Sequence, residues 1–222
     1  MPHQDFIGSD GTKYPSATEL TNLLPQPWLF AWYKASVKKW GWRGWQKNLA
    51  TSARGMRIGT QVHTLLEAFI NHQTLLESPK DKYNSRQFAD ALFDALNPLV
   101  LNWNAVEPHL VNETYKIHGT ADAIVTMKEG LTVLDWKTSA SKSITHPIQL
   151  AIYALCWNDD PKRSRVDRGV IARVDKKSNK LSVHLDIWPD NNPDLKKRHP
   201  PLSHFFPIVK ALRTIWQYSN DK

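Results

Sequence analysis

The sequence predicts a fold of mixed helices and sheet, and three observations carry that prediction. Apolar residues recur at helical spacing in the first half, as with Val62, Leu65, Leu66, Phe69 and Ile70. The middle changes to short runs rich in β-branched and aromatic residues, among them DAIVTM and LTVLDWK. A strongly apolar helical run, IQLAIYALCW, then separates those strands from two more. Helices, strands, a helix and strands again describe an α/β or α+β core, and the order alone leaves both open. At 222 residues, with 41% hydrophobic and 23% charged residues, the chain has the composition of a folded domain that buries a core without staples.

Taken in order, residues 1–15 read as an irregular lead. Ser16 followed three residues later by Glu19 is a capping box that opens a helix through Leu24, and the PQP of residues 25–27 breaks it. The next stretch, WLFAWYKASVKKWGWRGWQKNLA, interleaves tryptophans with lysines and arginine. Helices are expected over residues 58–76 and again over 87–101, the second on Phe88, Leu92, Phe93 and Leu96. HLVNETYKIHG, DAIVTM and LTVLDWK read as strands, the last two joined by the turn-like KEG into an antiparallel pair. Pro147 suits the start of a helix reaching Trp157. RGVIARV and KLSVHLDIW flank KKSNK as a second hairpin, and residues 207–218 close the chain as a helix. There is no internal repeat and no low-complexity tract.

A net charge of +8 together with ten tryptophans points to a polyanionic partner with flat bases, which is nucleic acid. The competing explanation is that the charge only keeps the protein soluble and the tryptophans are core. Cys156 is the one cysteine, which excludes an internal disulfide, a Cys-rich zinc site and a four-thiolate iron–sulfur cluster, and suits a reducing, cytoplasmic setting. No secretory leader and no apolar run of membrane-spanning length is expected. The nearest approach to a phosphate-binding G-x-x-x-x-G-K-[ST] loop is GSDGTK, so no ATP-driven motor is expected either.

The run LTVLDWK ends on an acid and a lysine two residues apart. In a strand, residues i and i+2 share a face, so Asp135 and Lys137 project together while Trp136 points the other way. The same acid-x-Lys triplet occurs at Asp160, Asp175 and Asp194, but the first and last lie in Pro-flanked polar loops and Asp175 at an expected hairpin tip. Only Asp135 ends a buried-looking strand. Asp122, at the head of the paired strand, brings a second carboxylate toward the same end of the sheet, although an acid after Gly119 also suits a plain turn. Two carboxylates with room for water suit a hard cation, Mg²⁺ or Mn²⁺, which polarises a phosphodiester while Lys137 offsets charge on the phosphate.

GTAD at residues 119–122, LDWK at 134–137 and Q-x-x-x-Y at 149–153 resemble the PD-(D/E)XK nuclease superfamily, specifically its RecB-type exonuclease branch. That branch includes the nuclease domain of the bacterial recombination helicase-nuclease, CRISPR-associated adaptation nucleases, the mitochondrial genome-maintenance exonuclease and stand-alone phage members. The resemblance implies a restriction-endonuclease-like α/β core, a central mixed β-sheet flanked by helices, here carrying an N-terminal helical elaboration. It makes Asp122, Asp135 and Lys137 catalytic. GTQVH at residues 59–63 matches the family's G-x-x-x-H, so His63 joins Asp122 and Asp135 as a metal ligand, although a histidine on an amphipathic helix is otherwise more often a core or boundary residue. Glu67, one turn later on the same helix face, reads as a supporting acid or equally as a solvated one, and Glu113, in the strand before GTAD, matches a supporting acid often seen in this branch. Gln149 and Tyr153 share a helix face beside the site, where they support Lys137 or the DNA backbone, or else simply pack.

Within KKWGWRGWQK, residues Lys38, Lys39, Trp42, Arg43, Trp45 and Lys47 form the expected nucleic-acid platform, aromatic faces taking any base and cations taking phosphates. The domain reading is one nuclease unit over 1–222, with a Trp/Lys-rich elaboration at 1–57 and the core at 58–222. The expected activity is a Mg²⁺- or Mn²⁺-dependent DNA exonuclease acting on single strands or ends, in recombination, repair or replication, with recombination or replication proteins as expected partners. A structure-selective endonuclease and a non-catalytic nucleic-acid-binding module are the alternatives.

Overall fold

The computed structural model describes residues 6–25, 27–72, 85–139, 141–177, 180–190 and 199–220. The lead is more ordered than its composition suggests. Phe6–Ile7 (β1) and Lys13–Tyr14 (β2) pair as a short antiparallel hairpin, and Tyr14 is buried beneath it. The capping box forms as read: Glu19 N donates to Ser16 Oγ at 3.1 Å, and Ser16 N donates to Glu19 Oε2 at 2.8 Å, opening helix α1, Ala17–Asn22. Pro27, whose missing N–H costs nothing at a helix start, opens α2, Pro27–Trp40.

Helix α3, Trp42–Ile70, is 29 residues long, so at about 1.5 Å per residue it spans about 43 Å. It begins inside the tryptophan-rich stretch and continues through the expected start at residue 58, carrying His63 on its C-terminal half. α2 folds back on its N-terminal half through Gly41, which adopts the left-handed φ of 56°. The two helices approach so closely that a Cβ on Gly44 would lie 2.3 Å from the Ser36 carbonyl oxygen.

Helix α4, Ser85–Leu96, stops five residues before the expected end. Pro98 cannot continue the hydrogen-bond ladder, a 3₁₀ turn spans Asn97–Leu99, and the chain emerges as strand β3, Val100–Val106, which periodicity had merged with the helix. Strands β4, His109–Asn112, and β5, Ile117–Thr120, make a hairpin of their own. β6, Ala123–Met127, and β7, Gly130–Lys137, pair antiparallel through the expected turn. Helix α5, Thr145–Trp157, crosses over to β8, Arg168–Lys177, which runs parallel to β7, and β9, Lys180–Trp188, returns antiparallel. Helix α6, Phe206–Asn220, ends the described chain.

The central sheet is therefore mixed, in the order β3-β6-β7-β8-β9, and flanked by helices on both faces, the restriction-endonuclease-like arrangement. Alternation along the strands sorts two cores. Val125, Leu134, Trp136 and Ala172 meet α3 and α4 through Val62, Leu66 and Leu92; Ile124, Val133 and Ile171 meet α1, α5 and α6 through Leu20, Ile148, Ile152 and Leu212. α5 is apolar nearly all round because it is enclosed, the pattern expected of a helix without a solvent face. Among the described residues no helix is long and apolar enough to cross a membrane.

Candidate active site

Strand β6 begins at Ala123, paired to Leu134, so the ladder has no backbone partner for the Trp136 amide. The Asp122 side chain replaces it: Trp136 N donates to Asp122 Oδ2 at 2.7 Å. The Asp122 carbonyl accepts from Glu107 N at 2.9 Å, so this buried acid is held from both neighbouring strands. Its free oxygen, Oδ1, lies 3.1 Å from His63 Nδ1. Glu107 Oε1 lies 3.6 Å from the same nitrogen. Ligand atoms of His63, Glu107 and Asp122 all fall within 4.8 Å of one another, a mixed nitrogen and oxygen set open to a small hard cation.

Asp135 and Lys137 share a face, as alternation requires. Lys137 Nζ donates to Asp135 Oδ1 at 3.0 Å and lies 2.8 Å from Oδ2, so one ammonium faces both oxygens of this buried carboxylate. Two buried carboxylates need cations to offset their charge: Lys137 supplies one to Asp135, and the donor set of His63, Glu107 and Asp122, which leaves Asp135 outside it, fits a divalent ion beside them. Trp136, pointing the other way, is fully buried against α3, and its ring lies 5.7 Å from the His63 ring. The residue between the acid and the lysine thus props the histidine. Gly59, one turn earlier on α3, passes Thr138 at ordinary contact distance, bringing the helix over the strand end.

The electrostatics follow from this crowding. Burial disfavours charge on His63, but the Asp122 and Glu107 carboxylates outweigh it and raise the ring to about 10. Burial pushes the Asp135 carboxyl above its usual range, reinforced by Asp122 and opposed by Lys137. Burial works against the Lys137 ammonium, but Asp135 and Asp122 more than compensate and hold it protonated. Tyr153 is raised well above its ordinary value, first by burial and then by the charges of Asp135 and Asp122.

Gln149 and Tyr153 meet on one face of α5, Gln149 Nε2 donating to the Tyr153 hydroxyl at 2.7 Å. The Tyr153 ring leaves no room at position 119, where a Cβ would stand 2.7 Å from its Cε1. The glycine of GTAD is therefore set by the tyrosine of Q-x-x-x-Y. Glu67 stands one turn beyond His63, half-buried, outside the cluster of donor atoms. Glu113 is not brought to the site. It sits in the turn at the opposite end of the β4–β5 hairpin from Thr120, accepting hydrogen bonds from Ser9 and Tyr14 and anchoring the N-terminal hairpin.

Glu107 is the acid that sequence reading missed. It lies between β3 and β4 with a left-handed φ of 48°, a conformation that costs a non-glycine residue about 1 kcal/mol or more and that clusters at functional sites. The available signal was an acid directly before a proline at a strand end, hidden once β3 was read as helix. Also missed was a rank of charges running outward along the sheet. Lys137 stands opposite Arg173 in the β7–β8 register, Arg173 Nε donates to Asp186 Oδ2 at 2.6 Å, and Lys142 Nζ reaches Asp186 Oδ1 at 2.5 Å. Asp175 is not at a hairpin tip but buried within β8, opposite Ser182.

On the α2–α3 hairpin, Lys38, Lys39, Arg43 and Lys47 are exposed and Trp42 is 70% exposed. The side chain of Trp45 lies outside the described residues. Trp40, which the expected platform omitted, is its centre: Lys39 Nζ and Lys47 Nζ lie 5.1 and 5.7 Å from its ring centroid.

Comparison with known proteins bears on this geometry. A family model described as the PD-(D/E)XK nuclease superfamily matches residues 16–216. No curated protein matches. Solved structures that match include one titled "Crystal structure of SSO0001", 17% identical, covering 60% of this chain and 56% of that chain, with a TM-score of 0.30. The chain spans little more than half the length of that protein.

Proposed function

The chain belongs to the PD-(D/E)XK nuclease superfamily, whose members are metal-dependent nucleases, and from that premise we propose that it is a DNA exonuclease of the RecB-type branch. It hydrolyses phosphodiester bonds from the ends of single-stranded DNA, in recombination, repair or replication, inside a reducing cytoplasm. The family match runs across both the helical elaboration and the sheet, which supports one nuclease unit rather than two.

The observation that carries the reading is the convergence of Asp122, Asp135 and Lys137 at one rim of the sheet, with both carboxylates buried. Asp122, His63 and Glu107 would hold a divalent ion, with Asp135, outside that donor set, as the proposed further ligand, Mg²⁺ or Mn²⁺ being usual for this superfamily. The chemistry such an ion supplies when bound is polarisation of a phosphoryl oxygen and acidification of water. Lys137, kept charged by Asp135, places an ammonium where negative charge grows on the phosphate. Gln149 fixes the Tyr153 hydroxyl, and that pair keeps the α5 side of the site ordered. Trp40, Trp42 and the surrounding lysines receive the strand by stacking and by phosphate contact, independently of sequence.

The decisive experiment compares wild type with Asp135→Ala on end-labelled linear and circular single-stranded DNA, in Mg²⁺, Mn²⁺ or EDTA. Cutting of linear DNA alone, requiring metal and absent from the variant, is expected. Equal activity of the two proteins would overturn the site, and cutting of circles would replace exonuclease by endonuclease.

A further inference from the structure

A cavity of about 350 Å³ opens beside the rank of charges that leads outward from Lys137. Its walls are apolar and aromatic, with Ile144, Pro147, Trp188 and Phe205. His146, on the first turn of α5, also lines it and is only 8% exposed. Among the described residues its imidazole has no hydrogen-bond or ion-pair partner. Its nitrogens are left to the cavity, where a ligand with complementary polar edges can pair with them. His199, also in the wall, stacks on Trp188 with ring centroids 4.7 Å apart, and its Nδ1 lies 2.8 Å from the Ile187 carbonyl. A carbonyl only accepts, so Nδ1 carries the hydrogen there, which leaves Nε2 as the nitrogen not engaged by that carbonyl.

The cavity is tied to the reacting centre. Asp186 lines it and pairs with Arg173, the β8 neighbour of Lys137. Burial and the Lys137 charge hold the His146 ring at about 4, hence neutral at ordinary pH, with one donor and one acceptor. The exposed Lys142 stands in the same lining, its ammonium paired with Asp186.

We propose that this cavity is a nucleobase subsite: it takes one base of the substrate strand, adjacent to the phosphate that Lys137 faces, with His146 reading the base edge. The inference rests on the nuclease reading for the identity of its ligand. A single nucleotide suits the volume, at the small end of ligand pockets, and the flat apolar walls with few polar groups suit a base.

The test measures binding in EDTA, where nothing is cut, so it does not depend on activity. Single-stranded oligonucleotides carrying one abasic residue at successive positions from the end are titrated against the wild-type protein. About tenfold weaker binding at one position, with little effect at its neighbours, is expected. His146→Ala should weaken binding of intact DNA by a similar factor and leave the oligonucleotide abasic at that position unaffected. Affinity that is the same for every abasic position overturns the subsite, as does a loss spread evenly along the strand. If His146→Ala misfolds, the wild-type scan decides alone. A position-specific loss in a protein that cuts no DNA with metal would sink the nuclease reading and leave the subsite standing.

Discussion

The sheet rim and the α2–α3 hairpin both carry polar chemistry, but they are built in opposite ways. At the rim, Asp122 and Asp135 are buried and every neighbour is specified: a backbone amide for Asp122, an ammonium for Asp135, a tryptophan ring behind His63. On the hairpin, Trp40 and Trp42 stand exposed among mobile-headed lysines, held by α2 packing on α3. The difference teaches that the rim is preorganised for one geometry, while the hairpin offers a tolerant surface. Damage at the rim should change the rate of chemistry; damage on the hairpin should change affinity.

The largest expected effect is at the rim. Asp122→Asn or Asp135→Asn should lower the cleavage rate by on the order of 10²–10³ with the circular-dichroism spectrum preserved, read in single-turnover assays. Metal removal by EDTA should match it. Glu107→Gln comes next: the metal concentration for half-maximal cleavage should rise about 10- to 100-fold, the range for losing a residue that supports a metal site, with the rate at saturating metal much less affected. On the hairpin, Trp40→Ala or Trp42→Ala should weaken single-strand binding by about 5- to 20-fold and leave the saturated rate unchanged. Replacing Lys39 and Lys47 together by glutamine should reduce the salt slope of binding by about 1.4.

Two glycines sharpen the same contrast. Gly119→Ala drives a methyl into the Tyr153 ring inside the core, so about 1–3 kcal/mol of stability should be lost, seen as a lower Tm. Gly44→Ala meets the Ser36 carbonyl instead and should open the hairpin, lowering DNA affinity more than Tm. The smallest effect concerns protonation. In EDTA the folded state holds His63 at about 10 against an ordinary 6.5, so the stability it contributes is complete below about pH 6.5 and is lost as pH rises toward 10. The Tm difference between wild type and His63→Gln should shrink across that window; a constant difference would refute the ion pair.

Much of the rim was legible in sequence because β-strand alternation is local. That Asp135 and Lys137 share a face, that Trp136 opposes them, and that Asp122 heads the partner strand all follow from a period of two and one turn. The capping box at Ser16 was legible for the same reason, since both partners lie within one turn. Glu107 was not, because its relevance depends on β3 lying next to β6 at the sheet edge, a pairing that spans the whole β4–β5 hairpin. Glu113 misled because strand position says nothing about which end of a hairpin faces the site.

By itself the sequence determined the central helices and the β6–β7 and β8–β9 strands, though not β1, β2 or β3, together with the acid-x-Lys face, the absence of any internal disulfide and the family resemblance, since each is written in short-range periodicity, residue counts or contiguous motifs. The tertiary structure alone decided that His63 meets Asp122 and Glu107, that Tyr153 dictates Gly119, and that Arg173, Asp186 and His146 extend the polar rank to a cavity. Those contacts join residues tens of positions apart. Only the packing of α3 and α5 on opposite faces of one twisted sheet brings them within bonding distance.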